Sequence, residues 1–312
     1  MIKKLFILGL LIGGSGIFLY KSFLKKHQEE KNPLQVVASI PPLYTIANEV
    51  MKGVGQPVLL IEKQVSPHDY ALKPSDAQKI ATAQVIFWIG SSLEGGLKKA
   101  FSNLPKHVHV ISFLEEKELT LRTFSFSKRH FHHSSHNHHE GQIDPHIWLD
   151  PSNGEAIARI MGETLSRIDP AHRTIYQENV RQFIQKTQTI TRLLQETLKD
   201  IRDVHIGVFH NAYQYFQMYF KLQPFQALTT NPEQSLTIPQ LTRLEHKVKK
   251  HRIKCLFAEP QFPRKTLETI ATRTGAQLFT LDPVGGATVS YVELLSTLGQ
   301  TIKDCVNTSQ SH

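Results

Sequence analysis

Short apolar runs alternate with longer stretches of helical character along most of the chain. The runs are about six residues long, and most are apolar at consecutive positions. Such runs are typical of strands buried on both faces of a mostly parallel sheet, with helices as the connections between strands. The predicted strands are residues 35–40, 57–62, 85–90, 107–112, 205–210, 254–259 and 277–282.

Helix starts can be located from capping signals between these strands. In a capping box, Ser or Thr is followed three residues later by Glu or Gln, and each side chain bonds a backbone N–H of the other. Residues 43–52 also have helical character. The predicted capping boxes are Ser75 with Gln78, Thr237 with Gln240, and Ser290 with Glu293.

Residues 171–201 contain no glycine or proline and predict one long helix. Asp169 can cap its start, and Pro170 suits its first turn. At 1.5 Å per residue the helix would be roughly 45 Å long, about the length of a whole domain. The alternative is two shorter helices with a bend that the sequence does not mark.

Together these elements predict an α/β protein with two lobes. Each lobe has a mostly parallel central sheet flanked by helices, and one long backbone helix joins them. We predict an N-terminal lobe at residues 32–168, a connecting helix at 169–202 and a C-terminal lobe at 203–312.

Residues 1–31 have the layout of an export signal followed by a linker. Two lysines precede an apolar run at residues 5–20, which is shorter than the roughly 20 residues that span a bilayer. Phe23 and Leu24 could extend the run. Both a cleaved signal and a retained N-terminal anchor are therefore compatible with the sequence, and in either case we expect an exported protein.

Net charge and cysteine content limit which binding partners and which cellular compartment we expect for the protein. The formal charge is +9, but many of the basic residues lie near the N-terminus or at residues 247–254, where export topology and a helix end account for them. No aromatic residues alternate with that basic run, so we expect no nucleic-acid partner. Cys255 and Cys305 are the only cysteines. They are compatible with one disulfide in an oxidising compartment, the alternative being two unpaired buried thiols.

Histidines supply the candidate chemistry. Six of the 17 lie within residues 130–139, in a predicted loop at residues 127–141. Such a tract suits weak, exchangeable binding of zinc or similar ions, and the alternative is a solubilising linker. The tract histidines are His130, His132, His133, His136, His138 and His139.

Three further histidines, His68, His146 and His210, lie at predicted strand-to-helix junctions. Open α/β sheets place their ligands at such junctions. A lone histidine is more often a packed or solvated residue than a ligand. Three in the same setting indicate one metal site, and three neutral imidazoles favour tetrahedral zinc with a fourth position for a carboxylate or water.

Five segments resemble, in order, the periplasmic zinc-binding component of high-affinity ABC-type zinc uptake systems, which belongs to the cluster A-I solute-binding proteins. The resemblance runs from about residue 34 to about residue 305. The segments are VSPHDYALKPSDAQKI from residue 65, DPHIWLDP from 144, GVFHNAYQYF from 207, CLFAEPQF from 255 and LDPVGG from 281.

The resemblance implies two lobes joined by one long helix, with the metal in the cleft between them. It assigns His68 and His146 as the first two ligands. The manganese and iron branch of the family carries Glu where this chain has His210, so this position favours zinc. Asp282 is the implied fourth ligand, with another carboxylate or water as alternatives. The resemblance also favours a Cys255–Cys305 bridge.

The implied function is capture of Zn²⁺ in the periplasm and its delivery to the membrane permease of an ABC importer, by a monomer that is either free or tethered to the inner membrane. The alternatives are a zinc-binding adhesin, a zinc reservoir, a manganese- or iron-binding homologue, and a zinc hydrolase. We do not expect an enzyme, because the chain has no HExxH motif and its candidate bases, Asp69 and Glu259, have simpler interpretations as helix-flanking or ligand-supporting carboxylates.

Overall fold

The computed structural model of the chain describes residues 34–62, 65–124, 142–229 and 237–310. The chain divides into two compact units, Met1–Leu34 and Gln35–His312, and the architecture below is that of the second. The predicted N-terminal signal or anchor and all six tract histidines lie outside the described residues. Within the described ranges, no helix has the length and apolarity needed to cross a membrane.

The first sheet consists of four parallel strands in the order β2-β1-β3-β4. Val37, at the centre of β1, lies between Val58 and Ile86, and β1 and β3 are buried at every position. This burial on both faces explains the continuous apolar runs. The strands are β1 (Val36–Ala38), β2 (Val58–Leu59), β3 (Val85–Trp88) and β4 (His109–Ser112).

The second sheet repeats this topology in the later half of the chain. Its four strands are again parallel, in the order β6-β5-β7-β8. The short strand β6 has no counterpart among the predicted strands. The strands are β5 (Ile206–Val208), β6 (Gln226–Ala227), β7 (Cys255–Ala258) and β8 (Gln277–Thr280).

Helices flank the two sheets, so the predicted α/β fold class is confirmed. They are α1 (Pro41–Val50), α2 (Pro74–Ala81), α3 (Lys98–Ser102), α4 (Pro151–Ile168), α5 (Arg173–Thr197), α6 (Gln214–Tyr219), α7 (Ile238–Lys250), α8 (Lys265–Thr274) and α9 (Tyr291–Gln310).

The predicted long helix is present as the uninterrupted helix α5, with a short 3-10 turn at each end. It packs against α1 from the first half of the chain and against α9 from the second, so it is a backbone shared by both. The predicted cap is not formed, because the Asp169 side chain accepts no hydrogen bond from a backbone N–H at the start of this helix. Its carboxylate instead lies 2.6 Å from the His172 ring and accepts a hydrogen bond from the Tyr176 hydroxyl at 2.9 Å.

Two of the three predicted capping boxes are confirmed. The Gln240 side chain accepts from the Thr237 N–H at 2.7 Å, and Glu293 accepts from the Ser290 N–H at 2.8 Å. The box at Ser75 is wrong, because α2 already begins at Pro74, the residue before it. Asp76 therefore occupies the third helical position and accepts from the Lys73 N–H at 3.2 Å.

The disulfide between Cys255 and Cys305 is present, with Cα atoms 5.9 Å apart. Both cysteines are fully buried. The bridge joins the first residue of β7 to α9, so it attaches the last helix to the second sheet.

Candidate metal centre

Three histidines that are far apart in the chain meet at one point. The Nε2 atoms of His68 and His146 are 3.3 Å apart, and those of His146 and His210 are 3.4 Å apart. In the part of the chain that the structure describes, these three form the one group of His, Cys, Asp or Glu able to hold a metal ion, with ligand atoms within 4.8 Å of one another. Tetrahedral zinc with nitrogens at ~2.0–2.1 Å places two ligands roughly 3.3–3.4 Å apart, so the spacing fits that ion.

Three different segments present these imidazoles. His68 lies in a 3-10 turn, Pro67–Asp69, on the connection from β2 to α2. His146 immediately precedes the 3-10 turn Ile147–Leu149, which leads into α4. His210 follows β5 at its carboxyl end, where open parallel sheets place their ligands.

Buried carboxylates hold two of the rings. Asp144 Oδ1 lies 2.8 Å from His146 Nδ1 and also accepts the His146 backbone N–H at 3.0 Å. Glu259 Oε1 lies 2.9 Å from His210 Nδ1. A carboxylate on one ring nitrogen fixes the orientation of the imidazole and directs the other nitrogen toward the metal. Both Nε2 atoms are thereby aimed at the shared centre.

Burial sets the charge of this centre. It lowers the pKa of His146 well below the ordinary 6.5, and the neighbouring His210 acts in the same direction. His146 is therefore uncharged at neutral pH, the form that binds metal. Burial also raises the pKa of the Asp144 carboxyl to about 8, against the opposing effects of the His146 N–H and of His210.

The cavity at the centre has a volume of about 10 Å³. That is close to the space one water-sized particle occupies, so the site suits an ion rather than an organic substrate. The three histidines line it together with Ser66, Pro67, Trp148, Glu259, Gln261, Phe262, Pro283 and Val284.

Asp282, the predicted fourth ligand, lies beside the cavity in a tight turn. Its Oδ1 accepts from Gln261 Nε2 at 3.0 Å and from the backbone N–H groups of Val284 and Gly285, each at 3.1 Å. It is outside the group of three histidines. Its role as a ligand stays a prediction.

The sequence does not predict Asp144 as the partner of His146, although Asp144 begins the same motif two residues earlier. It predicts Glu259 as a candidate ligand-supporting carboxylate, but not which histidine it supports. That partner follows from sheet register: Val208 pairs with Phe257, so His210 and Glu259 stand two residues beyond equivalent positions of adjacent strands. Only the adjacency of β5 and β7 makes them neighbours.

Comparison with known proteins identifies the family. The model of the family described as zinc-uptake complex component A, periplasmic, matches residues 36–305, which is most of the chain. The chain belongs to this family. The predicted resemblance to zinc-uptake binding proteins is thus confirmed.

Individual relatives agree with this assignment. The high-affinity zinc uptake system protein ZnuA of Brucella suis biovar 1 is 34% identical over 308 residues, covering 87% of this chain and 91% of the relative. A ZnuA crystal structure superposes with a TM-score of 0.74 at 22% identity, covering 88% of this chain and 99% of the other. The laminin-binding protein Lmb of Streptococcus agalactiae, described as a bifunctional protein with adhesin and metal transporting activity, has the same TM-score, 0.74, at 24% identity. The match covers 88% of this chain and 99% of that protein. At these identities the two structures show only that the fold is shared.

Proposed function

We propose that this protein is an extracytoplasmic solute-binding protein that captures Zn²⁺ between His68, His146 and His210 and delivers it to an ABC-type zinc importer. The observation that carries the proposal is the spacing of the three Nε2 atoms. The distance is 3.3 Å between those of His68 and His146 and 3.4 Å between those of His146 and His210. The family and the zinc uptake role named for its members support the same function.

The donor set favours zinc over manganese. Nitrogen donors at all three positions suit zinc, whereas manganese prefers carboxylate oxygens. Asp144 and Glu259 lie behind two of the rings, and neither residue is itself assigned as a ligand. The fourth position belongs to Asp282, to another carboxylate or to water.

Delivery requires a membrane partner, which we take to be the permease of an ABC importer. The protein then acts in the periplasm, as a monomer, either free or tethered to the inner membrane through its N-terminal segment. Its lobes are residues 32–168 and 203–312, with residues 169–202 as the connection. No catalytic role is proposed, since the members of the family are named for zinc uptake.

The test is zinc affinity after removal of one ligand. Chelator competition is carried out on His210→Ala in a chain that also lacks residues 130–139, so that tract histidines cannot mask the loss. We expect affinity to fall at least roughly tenfold relative to the tract-deleted parent. Equal affinity in the two proteins would exclude the site.

A second assay separates transport from the adhesin and reservoir alternatives. Zinc-loaded protein is added to vesicles that contain candidate zinc permeases, and uptake is compared with that produced by the His210→Ala protein. Stimulation by the parent alone supports delivery to an importer. Zinc binding without stimulation of any candidate favours the alternatives.

A further inference from the structure

The short helix α6 begins four residues after His210 and contacts the segment that leads to His146. Two of its residues make the contact. The Tyr215 hydroxyl accepts a hydrogen bond from the Arg122 backbone N–H at 2.9 Å and donates one to the Asp144 carbonyl at 3.0 Å. Gln214 Nε2 donates to the Thr123 carbonyl at 3.0 Å. One helix thus connects the region after one ligand to the region before another.

The contacted segment is a short antiparallel pair. Thr123 and Ile143 form a β-bridge, and the Asp144 N–H donates to the Arg122 carbonyl at 2.8 Å. Arg122 and Asp144 are therefore direct neighbours across this pair, and the hydroxyl of Tyr215 bonds both of them. Because Tyr215 is fully buried, water has little access to replace those bonds.

Asp144 transmits this contact to the metal centre. Its backbone carbonyl is held by Tyr215, while its carboxylate holds the ring of His146. His210 is held separately by Glu259, the residue that follows β7. We propose that Tyr215 is a positioning residue of the metal centre, whose hydroxyl sets the place of the Asp144–His146 pair relative to His210.

The quantity that Tyr215 controls is the 3.4 Å separation between the Nε2 atoms of His146 and His210. Removing the hydroxyl withdraws one bond from Asp144 and one from Arg122, and the pair relaxes. Metal sites are sensitive to such support, because loss of an outer partner typically lowers affinity about 10- to 100-fold. Tyr215 bonds Asp144, which in turn holds His146, so it lies one hydrogen bond further from the metal than Asp144 does. We therefore expect affinity to fall about tenfold, the low end of that range.

The experiment is Tyr215→Phe, made in the full chain and again in the chain that lacks residues 130–139, so that the tract histidines cannot mask a loss of affinity. Phenylalanine keeps the ring and its contact with the Arg122 guanidinium, whose Cζ lies 5.9 Å from the ring centroid, so the change isolates the hydroxyl. Zinc affinity is measured by chelator competition. Co²⁺ is then bound in place of zinc, and its visible d–d spectrum reports the ligand geometry. We expect weaker zinc binding and a shifted or weakened cobalt spectrum.

The matched control is Tyr176→Phe. Tyr176 lies on the long helix α5, outside the metal centre, and is also fully buried. Its hydroxyl donates to the Asp169 carboxylate at 2.9 Å. This variant also removes the hydroxyl, and with it a hydrogen bond, from a buried tyrosine. A merely structural role for Tyr215 predicts that both variants lose stability while both keep the wild-type affinity and cobalt spectrum.

The inference rests on the proposed zinc function, and the outcomes separate the two. A wild-type protein that binds no zinc contradicts the function. Wild-type binding together with an unchanged affinity and spectrum in a folded Tyr215→Phe protein overturns the positioning role alone. Should that variant not fold, Gln214→Leu removes the parallel bond to Thr123, and the same two readouts decide.

Discussion

Glu94 is a fully buried acid that follows the first sheet's strand β3, and its ionisation is expected to govern part of the stability of the protein. Its carboxylate bonds the Ser39 hydroxyl and accepts from the backbone N–H groups of Ile89, at 3.3 Å, and Gly90, at 3.0 Å. Burial outweighs these bonds and raises the pKa of Glu94 from its ordinary 4.5 to about 7. The folded protein therefore keeps this proton over a range in which the unfolded chain has lost it.

The sign and size follow from linkage. A raised pKa in the folded state gives stability that is fully present below pH 4.5 and is lost as the pH rises through 7. At ~1.4 kcal/mol per pKa unit, the shift corresponds to a loss of about 3 kcal/mol across that window. Glu94→Gln stays uncharged at every pH. We expect the variant to gain on the wild type by that amount as the pH rises.

The assay is urea unfolding of the wild type and Glu94→Gln at pH 5 and at pH 8. Most of the loss falls between these values, because the unfolded carboxyl is already largely ionised at pH 5. Glu163→Gln, at an exposed position of α4, controls for removal of a charge. The reasoning is refuted if the difference in unfolding free energy between the wild type and Glu94→Gln is the same at both pH values.

The turn after Glu94 lies next to the segment that carries His68. This turn, Gly95–Leu97, packs against the turn that carries His68. The approach is close at Gly96, where an added Cβ would stand 2.0 Å from the Tyr70 carbonyl oxygen. A glycine is required there because any side chain would displace the segment next to His68.

Three further outcomes follow from the site and the disulfide. Glu259→Gln should weaken zinc binding about 10- to 100-fold in chelator competition, since it removes the carboxylate that orients His210, and wild-type affinity would rule that role out. Zinc affinity should rise with pH and level off above about 8, because Asp144 holds a proton below that pH and loses it when zinc binds. Calorimetry in buffers of different ionisation enthalpy measures the number of protons released. An Asp144→Asn protein that releases as many protons as the wild type contradicts the assignment. Cys255→Ser should lower the free energy of unfolding by about 4 kcal/mol, because the bridge closes a loop of 50 residues, and an unchanged urea midpoint would argue against a constraining bridge.

Local signals in the sequence were enough for much of the fold. The apolar runs located seven of the strands, because burial on both faces leaves a continuous pattern. The absence of Gly and Pro predicted α5, and the capping boxes at Thr237 and Ser290 are local hydrogen bonds between residues three apart. The box at Ser75 failed because a start at Lys73, with Pro74 and Asp76 at the first and third helical positions, competes with it, and the sequence does not rank the two starts.

The sequence by itself also selected His68, His146 and His210, through their places at strand-to-helix junctions and through family motifs. What only the tertiary structure decided is how they meet. His68 and His146 are 78 positions apart in the chain, and His146 and His210 are 64 apart. Their Nε2 atoms nevertheless lie 3.3 and 3.4 Å from one another, because two sheets and their connections bring them together. The contacts of Glu259 with His210 and of Tyr215 with Asp144 depend on strand order and helix packing. No short-range pattern encodes such contacts, since they join segments whose spacing in the chain carries no information about their distance in space.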